Sequence, residues 1–113
     1  MKKVDPVPLP RRPPRRGMLA RRIRDLVTDG AFSYASHAFD SVDGPDADLA
    51  DALDILTTGT IVGEIVPGKD AGEWTCRMVG KIDKSSRRLS VVSVVIRDLH
   101  VFLINVAWEE PRK

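Results

Sequence analysis

Residues 88–96 read Arg88-Leu89-Ser90-Val91-Val92-Ser93-Val94-Val95-Ile96. Leu89, Val91 and Val95 alternate with Val92, Val94 and Ile96, so the segment is apolar on both sides. β-Branched side chains suit a pleated surface, and a short strand with two apolar faces belongs in the middle of a sheet. The fold is expected to be built around it. Upstream, Glu73–Ile82 alternates Trp74, Cys76, Met78 and Ile82 with Thr75, Arg77, Val79 and Lys81, the two-residue period of a strand. From Thr60, Ile61, Gly63 and Ile65 alternate with Val62, Glu64 and Val66. Downstream, a last strand runs from about His100 to Trp108. The breaks are Pro67-Gly68-Lys69-Asp70, Asp83-Lys84-Ser85-Ser86 and Arg97-Asp98, and turns this short join antiparallel neighbours.

Before Thr60 the period is helical. Leu19, Ile23, Leu26 and Val27 mark a helix over Met18–Thr28, stopped by Asp29-Gly30. A second, acidic helix starts at Asp46 or Asp48 and runs to about Thr57, with Gly59 as its stop. Leu49, Ala52, Leu53, Ile55 and Leu56 form its apolar face, and Asp48, Asp51 and Asp54 line another. Ser33–Asp43 is ambiguous. Ala35, Ala38 and Phe39 suit a short helix capped by Ser33 or Ser36 and ended by Gly44-Pro45. The expected fold class is α+β, with two or three N-terminal helices on one face of a four-stranded, mostly antiparallel sheet. Residues 1–16 are basic and Pro-rich without an apolar period, a disordered arm. Residues 17–113 form the single domain expected for this length.

Charge is segregated. Residues 1–24 hold nine Lys/Arg against one acid, Asp5; residues 25–68 hold nine acids and no Lys/Arg; residues 69–113 hold nine Lys/Arg against six acids. The tail and the sheet therefore suit a polyanion, and the acidic middle suits a basic partner or a solvated helix face. The single cysteine, Cys76, cannot form an internal disulfide. No apolar run approaches the ~20 residues of a membrane span. The chain opens without a secretory apolar stretch, so no membrane association and a cytoplasmic location are expected.

The candidate chemistry centres on His37 in Ser33-Tyr34-Ala35-Ser36-His37-Ala38-Phe39, because imidazole titrates near neutrality. RNA cleavage without metal needs a base for the ribose 2′-OH, cations for the phosphorane and an acid for the departing 5′-oxygen. His37 suits the acid or base, Arg77 a bidentate phosphate ligand and Lys81 a second cation. Glu64 is a spare carboxylate. If helices cover the face of Trp74, Cys76 and Met78, Arg77 and Lys81 project from the other face, ~13 Å apart. That spacing reaches successive phosphates of one strand. Arg88 and Arg97 at the ends of the next strand, and Trp108 by stacking, are candidate substrate contacts. The ordinary alternatives are a histidine bracing a turn, a solvated sheet face and a tryptophan packed at the rim. Neither a metal set, a calcium loop nor a phosphate-cradling glycine loop is evident, so no cofactor is expected.

Ser33-x-x-Ser36-His37-Ala38, then Asp46-x-Asp48-Leu49, then Leu56-Thr57-Thr58-Gly59-Thr60-Ile61-Val62-Gly63-Glu64-Ile65-Val66-Pro67 resembles a bacterial family of uncharacterised domains. Its members begin Ser-x-His-Ala, carry a helix ending Leu-x-x-Gly-x-Ile-x-Glu and finish with three strands. That family is similar to MqsR-like toxins and, more loosely, to the RelE-like ribonucleases of toxin–antitoxin pairs. Ile23-Arg24-Asp25-Leu26-Val27, followed by Gly30, also looks like the MqsR start. The resemblance covers about residues 31–110. It implies a metal-independent mRNA endoribonuclease held inactive by a cognate antitoxin protein. His37 matches the family histidine, Arg77 the arginine of the second strand and Arg88 that of Arg-x-Leu. This chain departs at three points. An arginine usually paired with an acid near Asp40 is missing, Ser90 replaces a frequent histidine, and Trp108 replaces an aromatic that is often tyrosine.

The leading expectation is thus a small RelE/MqsR-like toxin with His37, Arg77 and Lys81 as catalytic residues. The rival is a non-catalytic protein- or nucleic-acid-binding module of the same fold. A third reading has the basic arm bind DNA.

Overall fold

Arg88–Ile96 does lie in the middle of a sheet. The computed structural model describes residues 13–42, 47–82 and 87–109. In chain order these form α1 (Arg16–Thr28), β1 (Phe32–Tyr34), α2 (Leu49–Thr58), β2 (Thr60–Pro67), β3 (Glu73–Lys81), β4 (Arg88–Ile96) and β5 (His100–Trp108). The sheet order is β1-β5-β4-β3-β2. β1 pairs parallel to β5, and every other pair is antiparallel.

The architecture is α+β with two helices and a five-stranded mixed sheet, so the expectation of four strands is corrected. The added strand, Phe32–Tyr34, overlaps the start of the ambiguous stretch Ser33–Asp43, which suits a short helix by sequence. Three residues are too few to display a two-residue period, and their partner, Val101–Leu103, is remote in sequence. From Ser36 to Ser41 the chain makes successive turns, with Ala38 N–H bonded to the Ala35 carbonyl and Asp40 N–H to that of His37. Arg16, assigned to the arm, opens α1 instead. Most of that arm, Gly44-Pro45 and the turn at 83–86 lie outside the described residues.

Each helix end has a local cause. Asp48 accepts from the Asp51 N–H, and the Asp51 side chain accepts from the Asp48 N–H, a reciprocal capping box. Two of the three acids along α2 are therefore explained by helix initiation. At the end of α1, Gly30 N–H bonds the Val27 carbonyl and Ala31 N–H the Leu26 carbonyl. With Gly30 at φ +81°, this is a Schellman stop.

Both helices cover one sheet face. Ile23 of α1 and Ile55 and Leu56 of α2 pack with Leu89, Val91, Val95, Val101, Leu103 and Val106, all fully buried. Burying each such side chain contributes roughly 1.5–3 kcal/mol. α2 approaches β3 closely at two glycines. A Cβ on Gly59 would stand 2.7 Å from the Ile55 carbonyl oxygen and 2.8 Å from that of Val79.

Two irregularities set which side chains face outward. On β5 an extra residue at Ile104 shifts the register between Val92↔Asn105 and Ser93↔Leu103. Leu103 and Val106 consequently both reach the core, whereas strict alternation would have buried Asn105. On β2 two extra residues between Val62 and Val66, with Gly63 at φ +73°, leave the parity intact, and Ile61 and Ile65 are both buried.

Candidate nucleic-acid interface

The face away from the helices carries Arg77 and Lys81 of β3, as expected. The register places Lys81 directly opposite Arg88. Both are exposed, and neither has a carboxylate partner among the described residues. Like charges directly across an antiparallel pair repel. Arg77 is different. Its Nη1 lies 2.6 Å from Glu109 Oε1, and Glu109 is fixed by its own N–H bonding the Arg88 carbonyl. The guanidinium at the centre of the expected phosphate site is therefore already matched by a carboxylate. Between the two ends of the face run Val62, Val92, Val94, Ile96 and Phe102, half-buried apolar side chains.

His37 lies on the turns after β1, with its side chain 84% exposed. Its Nδ1 is 3.3 Å from Asp40 Oδ2. The neighbouring Ala38 carbonyl accepts from Val106 N–H, which sets His37 near the level of Arg77 along the strands. Laterally, β5 and β4 intervene before β3. At ~4.8 Å per strand, the backbones of His37 and Arg77 are roughly 14 Å apart laterally. Arg97 lies in the β4–β5 turn, nine residues from Arg88, or roughly 30 Å along the strand. Trp108 pairs with Leu89 on the helix-covered face, and the Arg87 guanidinium stacks 4.1 Å from its ring centre. Lys81, Arg88 and Arg77 thus gather at one end of this face, around the buried pair Val79 and Ser90. His37, Arg97 and Trp108 do not join them.

Two arrangements were not anticipated. Ser33 Oγ lies 2.8 Å from His100 Nε2, bracing β1 against β5. Second, α1 and the end of α2 enclose a solvent-open cavity of about 290 Å³, lined by Arg21, Arg24, Thr57, Thr58, Leu56 and Met78 among others. From sequence, Arg21, Arg22 and Arg24 lie off the apolar stripe of α1 and read as its solvated side. The closeness of Arg21 and Arg24 to the Thr57-Thr58 pair is not visible there.

Cys76 is buried, and desolvation pushes its thiol up to about 11, offset in part by Ser93 across the β3–β4 ladder. It is a core side chain with a suppressed thiolate. Among the described residues no group of three or more His, Cys, Asp or Glu is placed to hold a metal ion. No described helix is long and apolar enough to cross a membrane. Comparison of the chain with family models, curated proteins and solved structures gives no match.

Proposed function

We propose that this protein is a nucleic-acid-binding module of RelE/MqsR-like architecture, which holds single-stranded RNA by its phosphates and does not cleave it. The observation that carries the reading is the Lys81–Arg88 pair, two cations facing each other across β3 and β4 with no carboxylate partner among the described residues. Folding pays a repulsion there that a phosphate backbone removes. The toxin–antitoxin setting implied by the resemblance belongs to this proposal, with a cognate antitoxin protein as second partner.

The non-catalytic form is preferred because the groups needed for in-line cleavage are dispersed. Arg77 is neutralised by Glu109, and the imidazole lies across two intervening strands. One observation favours the rival endoribonuclease. Asp40 on His37 Nδ1 is the arrangement that orients an imidazole for proton transfer at Nε2.

The test is binding of a fluorescent single-stranded RNA across a salt series, with cleavage followed in the same tubes. Lys81→Ala and Arg88→Ala should each weaken binding and lower the salt slope by about 0.7 per cation removed, while His37→Ala leaves both unchanged and the RNA stays intact. Salt-independent binding, or unaltered slopes in both variants, would overturn the interface. RNA cleavage abolished by His37→Ala would establish the nuclease instead.

A further inference from the structure

We propose that the cavity between α1 and the end of α2 is a nucleotide-sized site that takes a phosphate group on Arg21 and Arg24. It is separate from the Lys81–Arg88 end and does not depend on RNA crossing the sheet.

Arg21 and Arg24 stand three residues apart, neighbours on one flank of α1. Both line the cavity and are exposed, and neither pairs with a carboxylate among the described residues. Two adjacent guanidinium forks offer the planar, multidentate donor set that matches a phosphate.

The opposite wall has the complementary character. Thr57 and Thr58 give their hydroxyl protons to the Asp54 carbonyl, at 3.0 and 2.8 Å, so their oxygens present lone pairs. The carbonyls in the last turn of a helix lack intrahelical donors; that of Ile55 accepts from Gly59 N–H, and Leu56, Thr57 and Thr58 follow it on the cavity wall. Such a wall repels a bare anion but accepts from hydroxyl or amino groups. Leu56 and Met78 lie behind the lining, fully buried, so the surface the cavity presents is polar. The ligand these walls select is anionic at one end and carries N–H or O–H donors at the other. A volume of about 290 Å³ is near the lower limit for small-molecule pockets and suits one mononucleotide unit. The phosphate can come from a free nucleotide or from one nucleotide of a strand.

The experiment is amide NMR titration of the full chain with three probes: adenosine 5′-monophosphate, inorganic phosphate and an eight-nucleotide single-stranded RNA. The mononucleotide should saturably shift the amides of Gly17, Arg21, Arg24 and Thr57–Gly59, and bind at least tenfold tighter than inorganic phosphate. Arg21→Ala/Arg24→Ala should lose that binding tenfold or more, and Arg21→Lys/Arg24→Lys should recover only part of it. Unaltered thermal unfolding and a native amide spectrum establish that both double variants fold. If the octamer also loses affinity in the alanine variant, the site serves a strand; if only the mononucleotide does, it serves a free nucleotide. Equal binding of phosphate and mononucleotide, or no shifts at the cavity residues with either, overturns the proposal whatever happens at Lys81 and Arg88.

Discussion

Arg77 Nη1 and Glu109 Oε1 lie 2.6 Å apart, joining the middle of β3 to the residue that follows β5 across the start of β4. The Arg77 side chain is 41% exposed and that of Glu109 32%, so the pair contributes only about 1 kcal/mol or less to stability. Its larger effect is on charge. Glu109→Gln should therefore cost about 1 kcal/mol or less in chemical denaturation, yet tighten single-stranded RNA binding several-fold by releasing the Arg77 guanidinium. An unchanged affinity would mean that the RNA does not reach this end of the face.

Gly30 ends α1 at φ +81°, and a Cβ there would meet no heavy atom within 4 Å. Any cost of Gly30→Ala is thus a backbone cost. Holding an L-residue in the left-handed region costs roughly 1–2 kcal/mol, and the variant should lose that much stability in urea with an unchanged m-value.

The β4–β5 turn holds two side-chain-bearing residues in the same region, Arg97 at φ 53° and Asp98 at φ 59°. Leu99 N–H closes the turn on the Ile96 carbonyl. Arg97→Gly should stabilise the fold by about 0.5–1 kcal/mol, the relief of strain less the extra chain entropy of glycine. Asp98→Gly should gain less, because Asp98 also pairs with Arg22 at 3.2 Å. RNA affinity should stay level in Arg97→Gly, since that turn lies at the far end of β4 from Arg88. A drop in affinity would restore Arg97 as a contact.

Burial raises the Cys76 thiol from 9.0 to about 11. The unfolded chain therefore loses this proton first. Between pH 9 and pH 11 the folded state binds more protons, so stability falls as pH rises through that window. At 1.36 kcal/mol per unit the loss approaches about 3 kcal/mol. Cys76→Ala should flatten this part of the stability profile relative to the parent. Iodoacetamide at pH 8 should leave native Cys76 unmodified over times that label it fully in urea.

Local pattern and local chemistry determined much of this molecule from sequence. The double-sided apolarity of residues 88–96 identified the middle strand. Period two located β2 and β3, the Arg97-Asp98 turn set off β5, and Gly30 and Gly59 marked the helix ends, because each signal is carried by neighbours in the chain. The Arg77 and Lys81 faces followed from the same period. Only the tertiary structure decided the rest, since it depends on groups distant in sequence. Phe32–Tyr34 becomes a strand because Val101–Leu103 offers an edge. The bulge at Ile104 turns Asn105 outward to let Val106 fill the core. Glu109 neutralises Arg77, Arg88 is set against Lys81 with no carboxylate partner among the described residues, and the cavity exists because α1 brings Arg21 and Arg24 to the end of α2. Propensity and period act over a few residues, whereas charge pairing and pocket shape arise between elements that meet only once the chain is folded.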